Sequence, residues 1–177
     1  LPGVRPAAPN NAIGQPMVVA TTHGETPEVI ALGLDGVPIW RKAFDARTRP
    51  EILGDVILTS RRDAVVALDL RTGNELWTGP LESLAYVGAS RTGNTVLYGV
   101  RVGAAGGATR VGHLRAVDAR TGRGIWDHEI AGVLGRPVAY GNYAFVPWDR
   151  QNIAILDLAT GLEKARLRST DDVLAWV

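Results

Sequence analysis

Residues 67–77 read ALDLRTGNELW, and residues 116–126 repeat them as AVDARTGRGIW. The two copies share the frame A-x-D-x-R-T-G-x-x-[LI]-W, which chance does not produce twice in a chain of 177 residues. Two weaker copies flank them. Residues 31–40 read ALGLDGVPIW, with a turn one residue shorter, and residues 155–165 read ILDLATGLEKA, with Ala165 where Trp would stand. The chain therefore contains four copies of one unit.

The spacing of the copies indicates the fold. The turn glycines Gly36, Gly73, Gly122 and Gly161 are 37, 49 and 39 residues apart. A repeat of about 40 residues built from short strands is typical of a β-propeller blade. The sequence therefore predicts an all-β propeller with about four blades, near residues 17–44, 51–80, 85–130 and 137–168. We expect residues 1–16 to be an extended lead-in and residues 173–177 to begin a further strand. A closing strand that pairs residues 173–177 back onto the first blade is the alternative.

The motif has a physical explanation. Its Asp can accept hydrogen bonds from backbone N–H groups further along the turn, and its Gly supplies a positive φ without steric cost. The turn therefore reverses the chain between two antiparallel strands, and the second strand delivers a large Trp side chain to a neighbouring blade. A small Ala at the start of the motif leaves room for that ring. The expected docking residues are Ala31, Trp40, Ala67, Asp69, Thr72, Gly73, Trp77, Ala116, Asp118, Thr121, Gly122, Trp126, Asp157, Thr160 and Gly161.

A second hairpin precedes each of the three later motifs. Gly-Asp or Gly-Asn pairs stand between short apolar runs at residues 54–55, 93–94 and 141–142, which is a hairpin signal. Each unit is therefore predicted to contain four strands, A to D. The A–B and C–D turns then lie on one rim of the propeller, and the B–C and D–A loops lie on the other.

The frame A-x-D-x-x-T-G-x-x-x-W resembles the tryptophan-docking motif of the pyrroloquinoline-quinone-like (PQQ-like) propeller family. The resemblance extends roughly from Met17 to Arg168. It implies four-stranded antiparallel blades in a ring of seven or eight, of which these blades would be a part. The family includes quinone alcohol dehydrogenases, a propeller lipoprotein of the outer-membrane β-barrel assembly (Bam) machinery and sensor domains, so the fold does not select a function.

Composition excludes several kinds of site. The chain has no Cys, which removes disulfides, zinc–thiolate sites and cysteine nucleophiles. The formal net charge is +1, so bulk electrostatics give no reason to expect a nucleic-acid partner. No stretch approaches the roughly 18 apolar residues that span a bilayer. We expect membrane association only through a lipid anchor or a partner.

Few residues suggest catalysis. Asp149 and Asn152 stand on one B–C loop and are the candidates for a quinone-associated metal site, although we favour a solvated polar loop as their explanation. The histidines His23, His113 and His128 are isolated and lack metal-ligand spacing. The glycine-rich residues 103–108 do not open a helix, so we interpret them as a loop insertion and not as a phosphate-binding loop. We expect no catalytic, cofactor-binding or metal-binding residue in this chain.

Several residues are candidates for contact with a protein partner. Trp148 is the last residue of a predicted strand, and Asp149 and Arg150 begin the loop that follows it. Exposed aromatic residues beside Arg often anchor protein interfaces. The candidate partner-binding residues are Arg61, Arg62, Trp148, Asp149 and Arg150. The remaining aromatic residues, Tyr86, Tyr98, Tyr140, Tyr143 and Phe145, are expected to fill the space between blades.

The resemblance to the propeller lipoprotein of the Bam machinery, together with the lack of catalytic signals, implies a non-catalytic scaffold of the periplasm or cell envelope. Its expected partner is a protein, either a component of outer-membrane barrel assembly or a chain that completes the propeller. Two alternatives stay open: the propeller of a PQQ-dependent alcohol dehydrogenase, and an extracellular sensor domain.

Overall fold

The computed structural model describes residues 17–102, 111–149 and 151–169, and all regular elements in these segments are β-strands. The first sheet contains three strands in the order β1-β2-β3, with the bounds Met17–Thr21, Glu28–Gly33 and Pro38–Ala43. The second sheet has the order β4-β5-β6-β7, with the bounds Glu51–Leu53, Val56–Ser60, Ala64–Asp69 and Glu75–Pro80.

The third and fourth sheets repeat the pattern. The third has β8 to β11 in sequential order, with the bounds Leu84–Thr92, Thr95–Val102, Val111–Asp118 and Gly124–Ala131. The fourth has β12 to β15 in sequential order, with the bounds Val138–Tyr140, Tyr143–Trp148, Asn152–Asp157 and Glu163–Arg168. All neighbouring strands are antiparallel. The predicted all-β propeller of about four blades is confirmed.

The four-strand pattern holds for three of the units, whereas the first sheet has three strands among the described residues. Its strands β1, β2 and β3 correspond to strands B, C and D of the other units, because the turn between β2 and β3 carries the first motif. The predicted lead-in at 1–16, the glycine-rich insertion at 103–108 and the strand predicted at 173–177 lie outside the described residues.

The sheets stack face to face through apolar side chains. One cluster joins Val29 of the first sheet to Ile57 and Leu68 of the second. A second cluster joins the second sheet to the third, and a third cluster joins the third sheet to the fourth. All five residues of β5 and all six of β6 are buried, as expected for strands covered on both faces. The core is thus divided among the interfaces between consecutive blades.

Each C–D hairpin contains a bulge at the same motif position. In the second sheet Ala67 pairs with Trp77, and the register shifts before the next pair, Leu68 with Glu75. Equivalent shifts occur in the other three hairpins. A bulge of this kind adds one residue and increases the local twist. The small Ala of the motif therefore lies directly across the ladder from the Trp, as the sequence suggested.

The aromatic residues differ in their surroundings. Tyr98 is 2% exposed and its ring stacks on Trp77 with 6.1 Å between the centroids, so it fills the space between blades as expected. Tyr140 lies at the end of β12, beside the tight turn to β13, and is 77% exposed. No strand of the described chain covers it, so its expected place between blades stays a prediction.

Candidate partner-binding surface

The motif turns are held by the carboxylate of their Asp. In the second sheet, Asp69 Oδ1 accepts hydrogen bonds from the backbone N of Arg71 at 3.1 Å and from the backbone N and the hydroxyl of Thr72 at 3.0 Å each. Asp118 and Asp157 make the same set of three bonds in the third and fourth sheets. The glycine that follows Thr72 has a φ of +70°, which a side chain would disfavour.

These hydrogen bonds also lower the pKa values of the carboxylates that accept them. The hydroxyl and amide of Thr121 lower the pKa of Asp118. Burial raises the pKa of Asp69, but hydrogen bonds from Arg120 and Thr72 outweigh it, and the pKa is lowered. The carboxylates of the turns are therefore more acidic than in an unfolded chain.

Each Trp of a motif contacts the turn of the next sheet. The indole Nε1 of Trp40, Trp77 and Trp126 donates to the backbone O of Leu70, Ala119 and Leu158, at 2.9, 2.9 and 2.8 Å. Each ring also covers the glycine of that turn, namely Gly73, Gly122 or Gly161. A Cβ added at Gly122 would lie 2.6 Å from Cγ of Trp77. The turn glycine is therefore required both for its φ and for the approach of the ring.

The series stops at the fourth sheet. Ala165 occupies the Trp position opposite Ile155, and every residue of β15 is exposed. We call the surface of a sheet that faces the next sheet in chain order its onward face. In the fourth sheet the motif register and the alternation of side chains place Tyr143, Phe145, Ile153, Ile155 and Ala165 on this face. In the described part of the chain no sheet covers it.

A charged cluster joins the second and third sheets on the rim of the tight turns. Arg120 Nη1 lies 2.7 Å from Asp69 Oδ2 and 3.3 Å from Asp55 Oδ2. Arg91 donates to the carboxylate of Asp55 and, at 2.8 Å, to the backbone O of Leu53. The hydrogen bond from Arg91 to the Asp55 carboxylate is the main cause that lowers the pKa of Asp55. The sequence reasoning missed the cluster, since its partners are up to 65 residues apart.

The opposite rim carries a cleft of about 570 Å³. Three loops form it: the connection from β3 to β4, the connection from β5 to β6, and the connection from β7 to β8. Two of the predicted partner-binding residues, Arg61 and Arg62, line this cleft. Its other lining residues are Arg47, Thr48, Ser60, Leu81, Leu84, Ala85 and Tyr86.

The two predicted arginines differ in their contacts. Arg61 forms ion pairs with Asp63 at 3.3 Å and with Glu75 at 3.6 Å. Arg62 is exposed and makes no ion pair with any residue that the structure describes. Its guanidinium is therefore available to a partner.

The other predicted group lies on the loop after β13. Trp148 is half-buried and packs against the cluster between the third and fourth sheets, and the guanidinium carbon of Arg166 lies 4.7 Å from its ring centroid. Asp149 has a φ of +49° and its Oδ1 accepts a hydrogen bond of 2.7 Å from the backbone N of Val133. Arg150 lies outside the described residues. The structure thus gives Asp149 a local anchoring contact, and its partner-binding role stays a prediction.

The residues considered for metal binding are dispersed. Asn152 Nδ2 is 3.4 Å from the backbone O of Trp148, His113 Nδ1 lies 3.1 Å from Asp127 Oδ1, and His128 Nε2 lies 2.8 Å from the backbone O of Gly161. Within the segments that the structure describes, no group of three or more His, Cys, Asp or Glu could hold a metal ion. The same segments contain no helix with the length and apolar composition of a membrane span.

A second interaction missed from the sequence lies among the A strands. Arg136 Nη2 lies 2.9 Å from Glu51 Oε2 and 3.3 Å from the backbone O of Ala89, so it links the second, third and fourth units. The Tyr86 hydroxyl is buried and has no partner with hydrogen-bond geometry among the described residues. Burial raises the pKa of Tyr86, and the nearby Glu51 carboxylate raises it further.

Comparison with known proteins agrees with this architecture. The family model described as outer membrane protein assembly factor BamB matches residues 6–172. No curated protein matches the sequence. A europium-containing methanol dehydrogenase is similar in structure with a TM-score of 0.64 and 14% identity, over 88% of this chain and 40% of the dehydrogenase.

Two further solved structures give the same result. A quinohemoprotein alcohol dehydrogenase from Comamonas testosteroni has a TM-score of 0.63 and 16% identity, over 85% of this chain and 33% of the other. The computationally designed Ika4 protein has a TM-score of 0.61 and 15% identity, over 80% of this chain and 85% of the designed protein. At these identities the similarity concerns the fold alone. The chain spans well under two thirds of the length of either dehydrogenase.

Proposed function

The chain belongs to the family described as outer membrane protein assembly factor BamB, and on that premise we propose that it is a non-catalytic, protein-binding scaffold of the bacterial cell envelope. Its proposed role is in the assembly of outer-membrane proteins, in the periplasm or at the outer membrane through a lipid anchor or a partner. The observation that carries this proposal is the family match over nearly the whole chain.

In this proposal the repeated motif has a structural role. The contacts of Trp40, Trp77 and Trp126 with the turns of the following sheets support the interpretation of the motif residues as docking residues. Because those contacts fix the blades to one another, the loops of the opposite rim are free to differ from unit to unit. That rim carries the candidate partner-binding groups around Arg62 and Trp148.

We also propose that a further blade covers the onward face of the fourth sheet. Tyr143 is 47% exposed on this face, and large exposed apolar surfaces mark sites of contact. The additional blades belong either to a longer form of the same chain or to a partner, and the complete ring has seven or eight blades. The fraction of the two dehydrogenases that this chain spans, 40% and 33%, is consistent with such a ring.

The dehydrogenase alternative has no support beyond the fold. To separate the two, the purified chain is incubated with pyrroloquinoline quinone and calcium, and a visible spectrum is recorded after removal of free quinone. The scaffold proposal predicts a spectrum without retained quinone. Retained quinone together with alcohol-dependent reduction of a dye would overturn the proposal.

The role itself is tested in the organism that produces the chain. A photo-reactive amino acid replaces Arg62 in the full chain, and the cross-linked proteins are identified by mass spectrometry. Arg71, on the opposite rim of the same sheet, provides the matched control position. We expect a component of outer-membrane protein assembly to be cross-linked from position 62 and not from position 71. Unchanged levels of outer-membrane proteins after deletion of the gene would contradict the proposed role.

A further inference from the structure

We propose that the cleft on the rim of the second sheet binds an acidic peptide segment of the protein partner, with carboxylates as the recognised groups. This inference rests on the proposed function as a protein-binding scaffold, and it adds the chemistry that the partner must present.

The charge of the lining indicates the ligand. Three arginines, Arg47, Arg61 and Arg62, line the cleft, and its lining contains no acidic residue. A guanidinium presents a planar fork of donors that matches a carboxylate and is weakly hydrated. Arg47 is paired with Asp45 at 2.7 Å and Arg61 with its own acidic neighbours, whereas Arg62 has no acidic partner among the described residues. An incoming carboxylate therefore meets Arg62 first and can share the paired arginines.

The base of the cleft is held in place by hydrogen bonds. Ser60 donates from its backbone N to Thr48 Oγ1 at 3.0 Å, and the backbone N of Arg47 donates to the backbone O of Ser60 at 2.7 Å. The neighbouring hydroxyl of Thr59 donates to the backbone O of Thr48 at 2.9 Å, and Thr59 is fully buried. The loop that carries Arg47 is thus fixed to the end of β5, which carries Arg61 and Arg62 beyond it. Fixed positions reduce the entropy lost when a ligand binds.

The opposite wall is apolar and has an unusual backbone. Leu81, Leu84 and Ala85 belong to it, and between them Glu82 and Ser83 have φ values of +49° and +71°. Left-handed conformations of residues other than glycine are uncommon and cluster at functional sites. The turn is closed by a hydrogen bond of 2.7 Å from the backbone N of Leu84 to the backbone O of Leu81. A peptide with an apolar residue beside its acidic residues matches both walls.

The size of the cleft fits this ligand. Its volume of about 570 Å³ falls within the range of about 300–1,000 Å³ that is typical of ligand pockets. The cleft is therefore large enough for a few residues of an extended peptide, and larger than a single inorganic anion needs.

The test uses two fluorescent peptides with the full chain. One alternates Glu and Leu, and its control has Gln at every Glu position. Anisotropy titrations at low and high salt are expected to show binding of the acidic peptide, weaker at high salt because charges at the cleft are screened. The Gln peptide should bind about tenfold more weakly or worse, since hydrogen bonds to charged groups are the stronger class.

Variants locate the site. Arg62→Ala should weaken binding of the acidic peptide about tenfold while the thermal unfolding midpoint is unchanged, because Arg62 is exposed and stabilises no described contact. Arg71→Ala, on the other rim, should leave the affinity as it is. Equal binding of the Glu and Gln peptides, or full affinity of the Arg62→Ala variant, would overturn the inference. Displacement of the peptide by inorganic phosphate or acetate at equal concentration would also overturn it, since the site would then bind small anions.

The peptide-binding experiment and the cross-linking experiment can fail independently of each other. If the assembly component is cross-linked in cells but the acidic peptide does not bind, only the inference about the cleft fails. If the acidic peptide binds and no assembly component is cross-linked, the cleft is real and the proposed role is wrong.

Discussion

Equivalent positions of the repeat form two surfaces that differ in burial. One is the interface between the second and third sheets, and the other is the onward face of the fourth sheet. In the interface, Val56, Leu58, Val65 and Ala67 are fully buried and Trp77 is 9% exposed. On the fourth sheet the corresponding positions hold Tyr143, Phe145, Ile153, Ile155 and Ala165, and all of them are exposed or only partly buried. The two surfaces are both apolar, so hydrophobicity alone does not distinguish a blade face that is covered from one that no described residue covers.

The difference lies in the docking residue and its receiving turn. Trp77 adds a directed hydrogen bond to Ala119 and a close contact with Gly122, and these contacts position one blade on the next. Ala165 can supply neither of them. The comparison therefore indicates that the apolar faces drive the stacking and that the Trp defines its geometry.

The largest effect is expected for the removal of a docking ring. Trp77→Ala empties a large buried site and leaves the carbonyl of Ala119 without its donor, so we expect a loss of about 3–5 kcal/mol in the free energy of unfolding. Trp126→Ala should fall in the same range. Urea denaturation measures both. Trp148→Ala is the control, because Trp148 docks on no following turn, and its cost should be clearly smaller. Equal losses for the three variants would show that docking has no special part in stability.

The receiving turn is the next test. Gly122→Ala introduces a side chain at a φ of +69° and a clash with the ring of Trp77, so we expect a cost of about 2–4 kcal/mol. Gly36→Ala is the matched control: its φ is +76°, but no atom lies within 4 Å of the added Cβ. It should cost only the left-handed penalty of about 1–2 kcal/mol. Similar costs for the two variants would mean that the ring contact is dispensable.

The turn carboxylates predict a dependence of stability on pH. The pKa values of Asp55, Asp69, Asp118 and Asp157 are lowered in the folded chain. Since protonation then favours the unfolded state, stability is fully present above the unfolded-state pKa near 3.9 and falls as the pH drops through the folded values. Thermal unfolding between neutral and acidic pH measures this loss. Asp69→Asn should reduce the slope on the acid side. Parallel profiles for the variant and the wild type would contradict the contribution of Asp69.

The smallest effect is expected on the onward face of the fourth sheet. Ala165→Trp places an indole at the docking position, yet no turn in the described part of the chain lies beyond it for the ring to contact. We expect the free energy of unfolding to change by no more than about 0.5 kcal/mol. Stabilisation comparable to the loss in Trp77→Ala would show that another part of this chain already covers the face.

The repeat made the fold and the docking contacts accessible from sequence, because the Asp, Thr, Gly and Trp of the motif act within one hairpin and on the next copy of it. The charged cluster of Arg91, Asp55 and Arg120 was not accessible, since its members meet only when two blades are stacked. The cleft beside Arg62 was not accessible either, because its three loops are separate in the sequence and meet only in the folded chain. The exposure of Tyr140 also depends on what covers the fourth sheet, which no local pattern contains.

The most direct test of the central claim, that these sheets are successive blades and that no described part of the chain covers the onward face of the fourth, is sedimentation velocity of the isolated chain over a range of concentrations. We expect self-association that increases with concentration, together with binding of an apolar dye. Tyr143→Lys, which places a charge on the onward face, should reduce both without lowering the unfolding temperature. A compact monomer at every concentration, with no dye binding, would contradict the claim.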